Sequence, residues 1–89
     1  MSKEPMDVLR INLDERVYLK CKGGREIVGR LHAYDEHCNM LLSDATETIT
    51  STDVDDTTNQ EVTRVTSRDS SIIFVRGDAL ILLSHVTAT

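Results

Sequence analysis

The chain has no tryptophan, one phenylalanine and two tyrosines among 89 residues. Its core must therefore be aliphatic, and an aromatic peptide-binding groove of the kind an isolated SH3-like interaction barrel needs is not expected. It has only two cysteines, Cys21 and Cys38, with no CxxC pair or metal-ligand spacing. A secreted domain this small normally carries more, so a reducing compartment is expected. No apolar run approaches the roughly 20 residues of a membrane span, and the opening MSKEPMDVL has no signal-like apolar stretch. These absences point to a soluble chain of the cytosol or nucleus, with no membrane partner. Positive charge is scarce as well. Ten Lys and Arg against 15 Asp and Glu give a net charge of −5, which excludes a binder held to nucleic acid or membrane by overall charge. Any polyanion has to be met locally.

What is present fits one domain over residues 1–89, small enough that partners supply part of its stability. Charge is unevenly placed. From Arg16 to Arg30 there are five basic residues and one acidic, and from Leu31 to Thr63 eight acidic and no Lys or Arg. The molecule is thus expected to have two electrostatic faces. Met6, Leu9 and Leu13 stand at helical spacing after Pro5, with Asp7 in the first turn, and predict a short amphipathic helix over about 5–13.

After the helix the period changes to two. Val17, Leu19 and Cys21 alternate with Arg16, Tyr18 and Lys20, and Gly23-Gly24 supplies the turn into a second alternating strand. Gly29 in that strand predicts a bend or a close neighbour. Strands are expected over about 16–22, 26–35, 38–50, 70–76 and 79–84. The stretch from Ser51 to Asp69 has no apolar periodicity and reads as a mobile acidic loop. One helix followed by five strands predicts an all-β domain with a single N-terminal helix, a strongly bent antiparallel sheet or SH3-like open barrel.

Enzyme chemistry finds little support. His32, His37 and His85 lack metal-ligand spacing, Cys21 and Cys38 read as packing residues, and no convergent base and nucleophile is visible. No metal or cofactor is expected. The last two strands are richer in information, being apolar and β-branched without the charges or proline that protect an exposed edge. Either the barrel closes on itself or each edge receives a neighbour's strand, and so short a chain with apolar residues on both strand faces favours the neighbour.

Two turns carry more polar groups than turns need: Asp35-Glu36-His37-Cys38-Asn39 and Arg76-Gly77-Asp78. Each alone is an ordinary turn. Together they hold a planar imidazole, an amide and a guanidinium, a set suited to one unpaired base. Asp35-x-His37-x-Asn39 after Gly29-Arg30-Leu31, with Val75-Arg76-Gly77-Asp78 far downstream, resembles the bipartite motif of the Sm and Sm-like RNA-binding family, from Pro5 to about Ser84. Within that family, Asn12–Val17, Tyr34–Met40, Asp44–Thr48 and Phe74–Asp78 are most similar to the third type of eukaryotic Sm-like subunit.

The resemblance implies a helix on a five-stranded bent sheet, and a ring built by pairing the fourth strand of one subunit with the fifth of the next. Ile73, Val75, Leu80 and Leu82 would line those edges. It also implies an RNA pocket in which His37 stacks on a base, Asn39 bonds its edge, Arg76 packs on the other side, and Asp35 and Gly77 support them. His37 stands where many relatives use an aromatic residue. Uridine-rich single-stranded RNA and other Sm-like subunits are the implied partners. In the family a nuclear ring caps the 3′ end of the U-six spliceosomal RNA and a cytoplasmic ring acts on mRNA 3′ ends in decapping and decay; a third-type subunit belongs to both. A homomeric ring is an expectation for the isolated chain. No RNA role carries over to the acidic loop.

Overall fold

The computed structural model describes residues 4–87; the outermost positions of the expected 1–89 domain lie outside them. Helix α1 (Pro5–Ile11) precedes strands β1 (Arg16–Cys21), β2 (Arg25–Tyr34), β3 (Met40–Val54), β4 (Glu61–Val75) and β5 (Leu80–His85), with a 3-10 turn at Gly77–Ala79. The strands form one antiparallel sheet in the order β4-β3-β2-β1-β5. One helix and a five-stranded bent sheet are what the sequence predicts. Because β4 and β5 end the order, the barrel does not close on itself and both edges stay open.

Pro5 starts α1 without wasting a donor, and the Asp7 carboxylate accepts the Glu4 N–H at 3.2 Å. The helix stops two residues before the expected end. Asn12 turns its amide back to the Val8 carbonyl at 2.7 Å, and Asp14 takes a left-handed φ of 66° that delivers its N–H to the Leu31 carbonyl. Leu13 is consequently exposed, while Leu9 enters the core and Met6 packs against it.

Alternation in β1 and β2 buries Val17, Leu19, Cys21, Ile27 and Leu31 on one face. Burial also pushes the Cys21 thiol above its ordinary pKa, which suits a packing residue rather than a nucleophile. Gly29 serves both expected purposes. The β2–β3 register shifts between Val28 and Arg30, and a Cβ at Gly29 would meet Ala45 Cβ at 3.0 Å.

The stretch from Ser51 to Asp69 is not a loop. Strand β3 continues to Val54, β4 begins at Glu61, and only residues 55–60 turn. Both faces of this ribbon are in water, so no face selects apolar residues and no alternation marks it in the sequence; Val62 and Val65 extend the strand yet stay exposed. What holds it is β-forming Thr and Val with cross-strand polar pairs: Thr46 Oγ1 donates to Asp69 Oδ1 at 2.8 Å, and Arg64 stands 4.0 Å from Asp53. Nearer the sheet Glu47, only 2% exposed, accepts from Arg25 on β2 and, at 2.8 Å, from Arg68 on β4, clamping three strands. Cutting the ribbon between Thr52 and Thr63 to a minimal turn keeps that clamp. It is expected to cost less than about 1 kcal/mol, because exposed pairs contribute little. Thermal unfolding followed by circular dichroism checks this, and a loss several times larger would mean the outer ribbon carries fold stability.

Candidate nucleic-acid interface

The first turn leaves β2 at Tyr34 and enters β3 at Met40. Its backbone is closed by Asp35 N–H to the Asn39 carbonyl at 3.0 Å, with Cys38 in a left-handed φ of 63°. Asp35 organises the inside. One carboxylate oxygen accepts the His37 and Asn39 backbone N–H groups at 2.8 and 3.0 Å, and the other accepts Asn39 Nδ2 at 3.0 Å. The Asn39 amide, joined by those two backbone N–H groups, holds the Asp35 carboxyl below its ordinary pKa. A depressed carboxylate contributes order above its unfolded value and loses it as pH falls through the folded one, so the turn stays locked at neutral pH.

The second turn comes to the first across the end of the sheet. The Gly77 N–H donates to Asn39 Oδ1 at 2.8 Å, a bond spanning 38 residues. A Cβ on Gly77 would collide with the His37 carbonyl oxygen and stand 2.9 Å from the Cys38 carbonyl carbon. Only glycine permits that approach. The structure thereby brings together all five residues of the sequence-derived pocket, Asp35, His37, Asn39, Arg76 and Gly77.

Around that joint lies an open cleft of about 570 Å³, lined by His37, Asn39, Phe74, Arg76 and Asp78. His37 is exposed, with Glu36 Oε1 3.6 Å from its Nε2. Arg76 is held by Asp78 at 2.9 Å, both exposed. Phe74 and Asp78 are site-lining residues that the sequence reading missed. Asp78 had a signal, being the third residue of a turn already singled out. Phe74 opens the Phe74–Asp78 segment that carries the resemblance, and nothing in that segment marks it as a site residue.

Asn39 is tethered on both amide atoms. Its nitrogen keeps one N–H after Asp35, and its oxygen one lone pair after Gly77. Neither partner tolerates a flipped amide, since Gly77 N–H needs an acceptor and the Asp35 carboxylate a donor. The cleft therefore presents a fixed order of one donor and one acceptor.

The edge strands place the four expected edge residues differently. Alternation breaks at Asp44, whose φ is 48° and which has no partner in the β3–β4 ladder. The phase near the cleft is therefore counted from the Asp35 N–H to Asn39 carbonyl bond: Asn39 and Leu41 bond β2, Met40 and Leu42 bond β4, and the backbone groups of Ile73 and Val75 point inward while those of Ile72 and Phe74 point outward. The side chain of Val75 is likewise 1% exposed and belongs to its own subunit's core, and Ile73 packs against that core. Beyond the outer ribbon, the apolar side chains shown to solvent on β4 are Ile72 and Phe74. The uninterrupted run Ile72–Val75 has no alternation from which to read this phase, and a one-residue slip exchanges the faces. On β5 the Lys22 N–H to Ala79 and Val86 N–H to Arg16 bonds leave the Leu80 backbone outward and the Leu82 backbone paired with β1; Leu82 offers an exposed side chain instead. A shallow apolar groove between α1 and β5 includes Val8, Leu80 and Leu82.

Comparison with known proteins gives this geometry its context. Residues 7–85 match the LSM domain family model. The chain is 50% identical over 82 residues to Sm-like protein LSM3B of Arabidopsis thaliana, covering 92% of this chain and 84% of that one. It is 47% identical over 81 residues to LSM complex subunit lsm3 of Schizosaccharomyces pombe, covering 91% and 87%. Among solved structures it is similar to the Pyrococcus abyssii Sm protein in complex with a uridine heptamer, at 30% identity and a TM-score of 0.69, over 94% of this chain and all of that one. It is also similar to a heptameric archaeal Sm protein, at 26% identity and a TM-score of 0.65, over 90% and 97%. With the domain matched almost end to end and the two-turn joint in place, the chain belongs to the Sm-like family that carries the LSM domain.

Proposed function

We propose that this chain is one subunit of a ring-shaped Sm-like complex that binds uridine-rich single-stranded RNA ends, acting as a binding module rather than an enzyme. The observation that carries this is the doubly tethered Asn39 amide, which closes two turns 38 residues apart into one cleft. A base held with its sugar on one side meets that fixed donor and acceptor. Uracil and cytosine present opposite orders at that edge, an oxygen acceptor beside N–H in uracil and an amine donor beside a bare nitrogen in cytosine, so the orientation of the amide selects uridine. His37 supplies the stacking surface, Arg76 the opposite wall and a charge toward phosphate, and Asp35 and Gly77 hold the amide. The likeness to an archaeal Sm protein solved with a uridine heptamer supports the ligand.

Ring formation follows from the open edges. In our reading the outward backbone groups of Ile72 and Phe74 pair with the β5 edge of a neighbour, Leu80 offering its backbone and Leu82 its side chain, while Ile73 and Val75 back that edge from the core. The net charge of −5 does not oppose this, because each subunit contributes one cleft and the ring sums them. Similarity to the LSM3 proteins supports the family's two settings for this subunit: a nuclear ring on the 3′ end of the U-six RNA in splicing, and a cytoplasmic ring in mRNA decapping and decay. An isolated SH3-like peptide-binding barrel is less favoured, since its groove would need aromatics this chain lacks.

Native mass measurement combined with oligouridine titration at fixed salt tests the proposal. The protein, alone or co-expressed with Sm-like relatives, is expected to form rings that bind oligouridine. Ile72→Pro removes an outward N–H and spares the ladder to β3, so subunits should remain folded while rings and RNA binding are lost. A monomeric parent at micromolar concentration, or Ile72→Pro rings of unchanged size, would contradict it.

A further inference from the structure

The basic run from Arg16 to Arg30 has no part in the cleft, and its placement is specific. Strands β1 and β2 pair with Arg16 directly opposite Arg30, both exposed. Both face away from the core, since their neighbours Val17, Gly29 and Leu31 are buried. Directly opposed side chains in an antiparallel pair have Cβ atoms about 5 Å apart, and like charges there are unfavourable.

The chain has seven arginines and 15 carboxylate residues. Arg10, Arg25, Arg64, Arg68 and Arg76 each pair with a carboxylate. Among the described residues the two arginines without such a partner are Arg16 and Arg30, the two placed side by side. Arg30 is also oriented, its Nε 3.3 Å from Ser43 Oγ, which leaves the outer fork of the guanidinium open. Two adjacent, unneutralised guanidiniums in an otherwise acidic molecule suit a bidentate oxyanion such as phosphate.

The same face leads to the cleft. Arg30 pairs with Ser43 and Ser43 with Ile72, while one step along the same strands Leu41 pairs with Phe74, which lines the cleft. Those two cross-strand rows are about 7 Å apart. We infer that the Arg16–Arg30 pair is a second RNA contact, binding the phosphodiester backbone of the strand as it continues from the base cleft over the outer face of the sheet. This rests on the cleft reading above, and continuity with the cleft is what favours RNA over an acidic protein segment. The pair reads no base and adds affinity to any strand long enough to reach it.

The test compares parent rings with rings carrying Arg16→Gln and Arg30→Gln, titrated across salt with two RNAs: a uridine heptamer, and the same heptamer extended by about 15 unstructured nucleotides. The double variant should bind the heptamer as the parent does. It should bind the extended RNA more weakly, with a salt slope shallower by about 1.4 for each pair engaged, at about 0.7 per single-strand phosphate contact. Its melting temperature should match or exceed the parent's, because a repulsion is removed. An unchanged slope on the extended RNA overturns the inference, as does an equal loss on both RNAs or a fall in melting temperature, which would make the pair structural. So does a polyglutamate peptide that displaces the extended RNA from the parent but not from the variant while the heptamer stays bound, for that assigns the pair to an acidic protein. A parent ring that fails to bind the heptamer removes the cleft reading, and this proposal with it.

Discussion

Gly77→Ala is expected to lower stability by about 3 kcal/mol and the melting temperature by roughly 15 °C, a large effect for one methyl group on an exposed turn. The added Cβ meets the His37 carbonyl oxygen and the Cys38 backbone, so one turn has to withdraw. Withdrawal breaks the Gly77 N–H bond to Asn39 Oδ1, and the amide loses the partner that fixes its orientation. The two losses arise from one movement, so thermal unfolding and base selectivity should change together. A variant that melts within a few degrees of the parent would show that the turns are not mutually supported.

Arg25→Ala is expected to cost about 3 kcal/mol, and more than Glu47→Gln. Glu47 is almost wholly buried and Arg25 about one-third exposed, so removing the arginine leaves one oxygen of a buried carboxylate without a partner and only Arg68 to balance the charge, whereas removing the carboxylate frees guanidiniums that water can solvate. Burial opposes the charged form of Glu47, but Arg25 and Arg68 together outweigh it and hold its pKa below the usual carboxylate value. The sign follows from that direction: the stabilisation is complete above the unfolded value of about 4.3 and is lost as pH falls through the lower folded value. Without Arg25 the folded value rises, so acid unfolding should begin at higher pH. Chemical denaturation over a pH series measures both effects, and equal stabilities for the two variants would contradict the asymmetry.

Legibility in the sequence followed burial. β1 and β2 were readable because one face is core and the other is wet, which writes an alternation such as Val17, Leu19 and Cys21 against Arg16, Tyr18 and Lys20. The outer ribbon of β3 and β4 was not, since a strand wet on both faces has no reason to alternate, and its Ser, Thr and Asp also suit loops. Helix α1 was placed correctly and ended too late, because Leu13 keeps the helical spacing while Asn12 and Asp14 have already turned the chain. In the site, the polar members of both turns were visible as residues a turn does not require. The bond between Gly77 and Asn39 was not, being a contact that only the bend of the sheet creates. Phe74 stayed hidden because the apolar run Ile72–Val75 has no readable phase, which also conceals which of its side chains face the core.

The central claim is that an amide of fixed orientation reads the base. Its most direct test is titration of oligouridine and oligocytidine, at one salt concentration, against rings carrying Asn39, Asn39→Ala or Asn39→Asp with all other subunits unchanged. Parent rings should prefer uridine. Asn39→Ala should lose about 1–3 kcal/mol per occupied cleft for oligouridine and much of the preference, through unmade hydrogen bonds. Asn39→Asp keeps an acceptor for Gly77 N–H but no donor and sets a second carboxylate beside Asp35, so it should bind oligouridine no better than Asn39→Ala. Rings of confirmed composition in which either variant binds oligouridine as tightly and selectively as the parent would make Asn39 a structural joint and place the RNA site elsewhere.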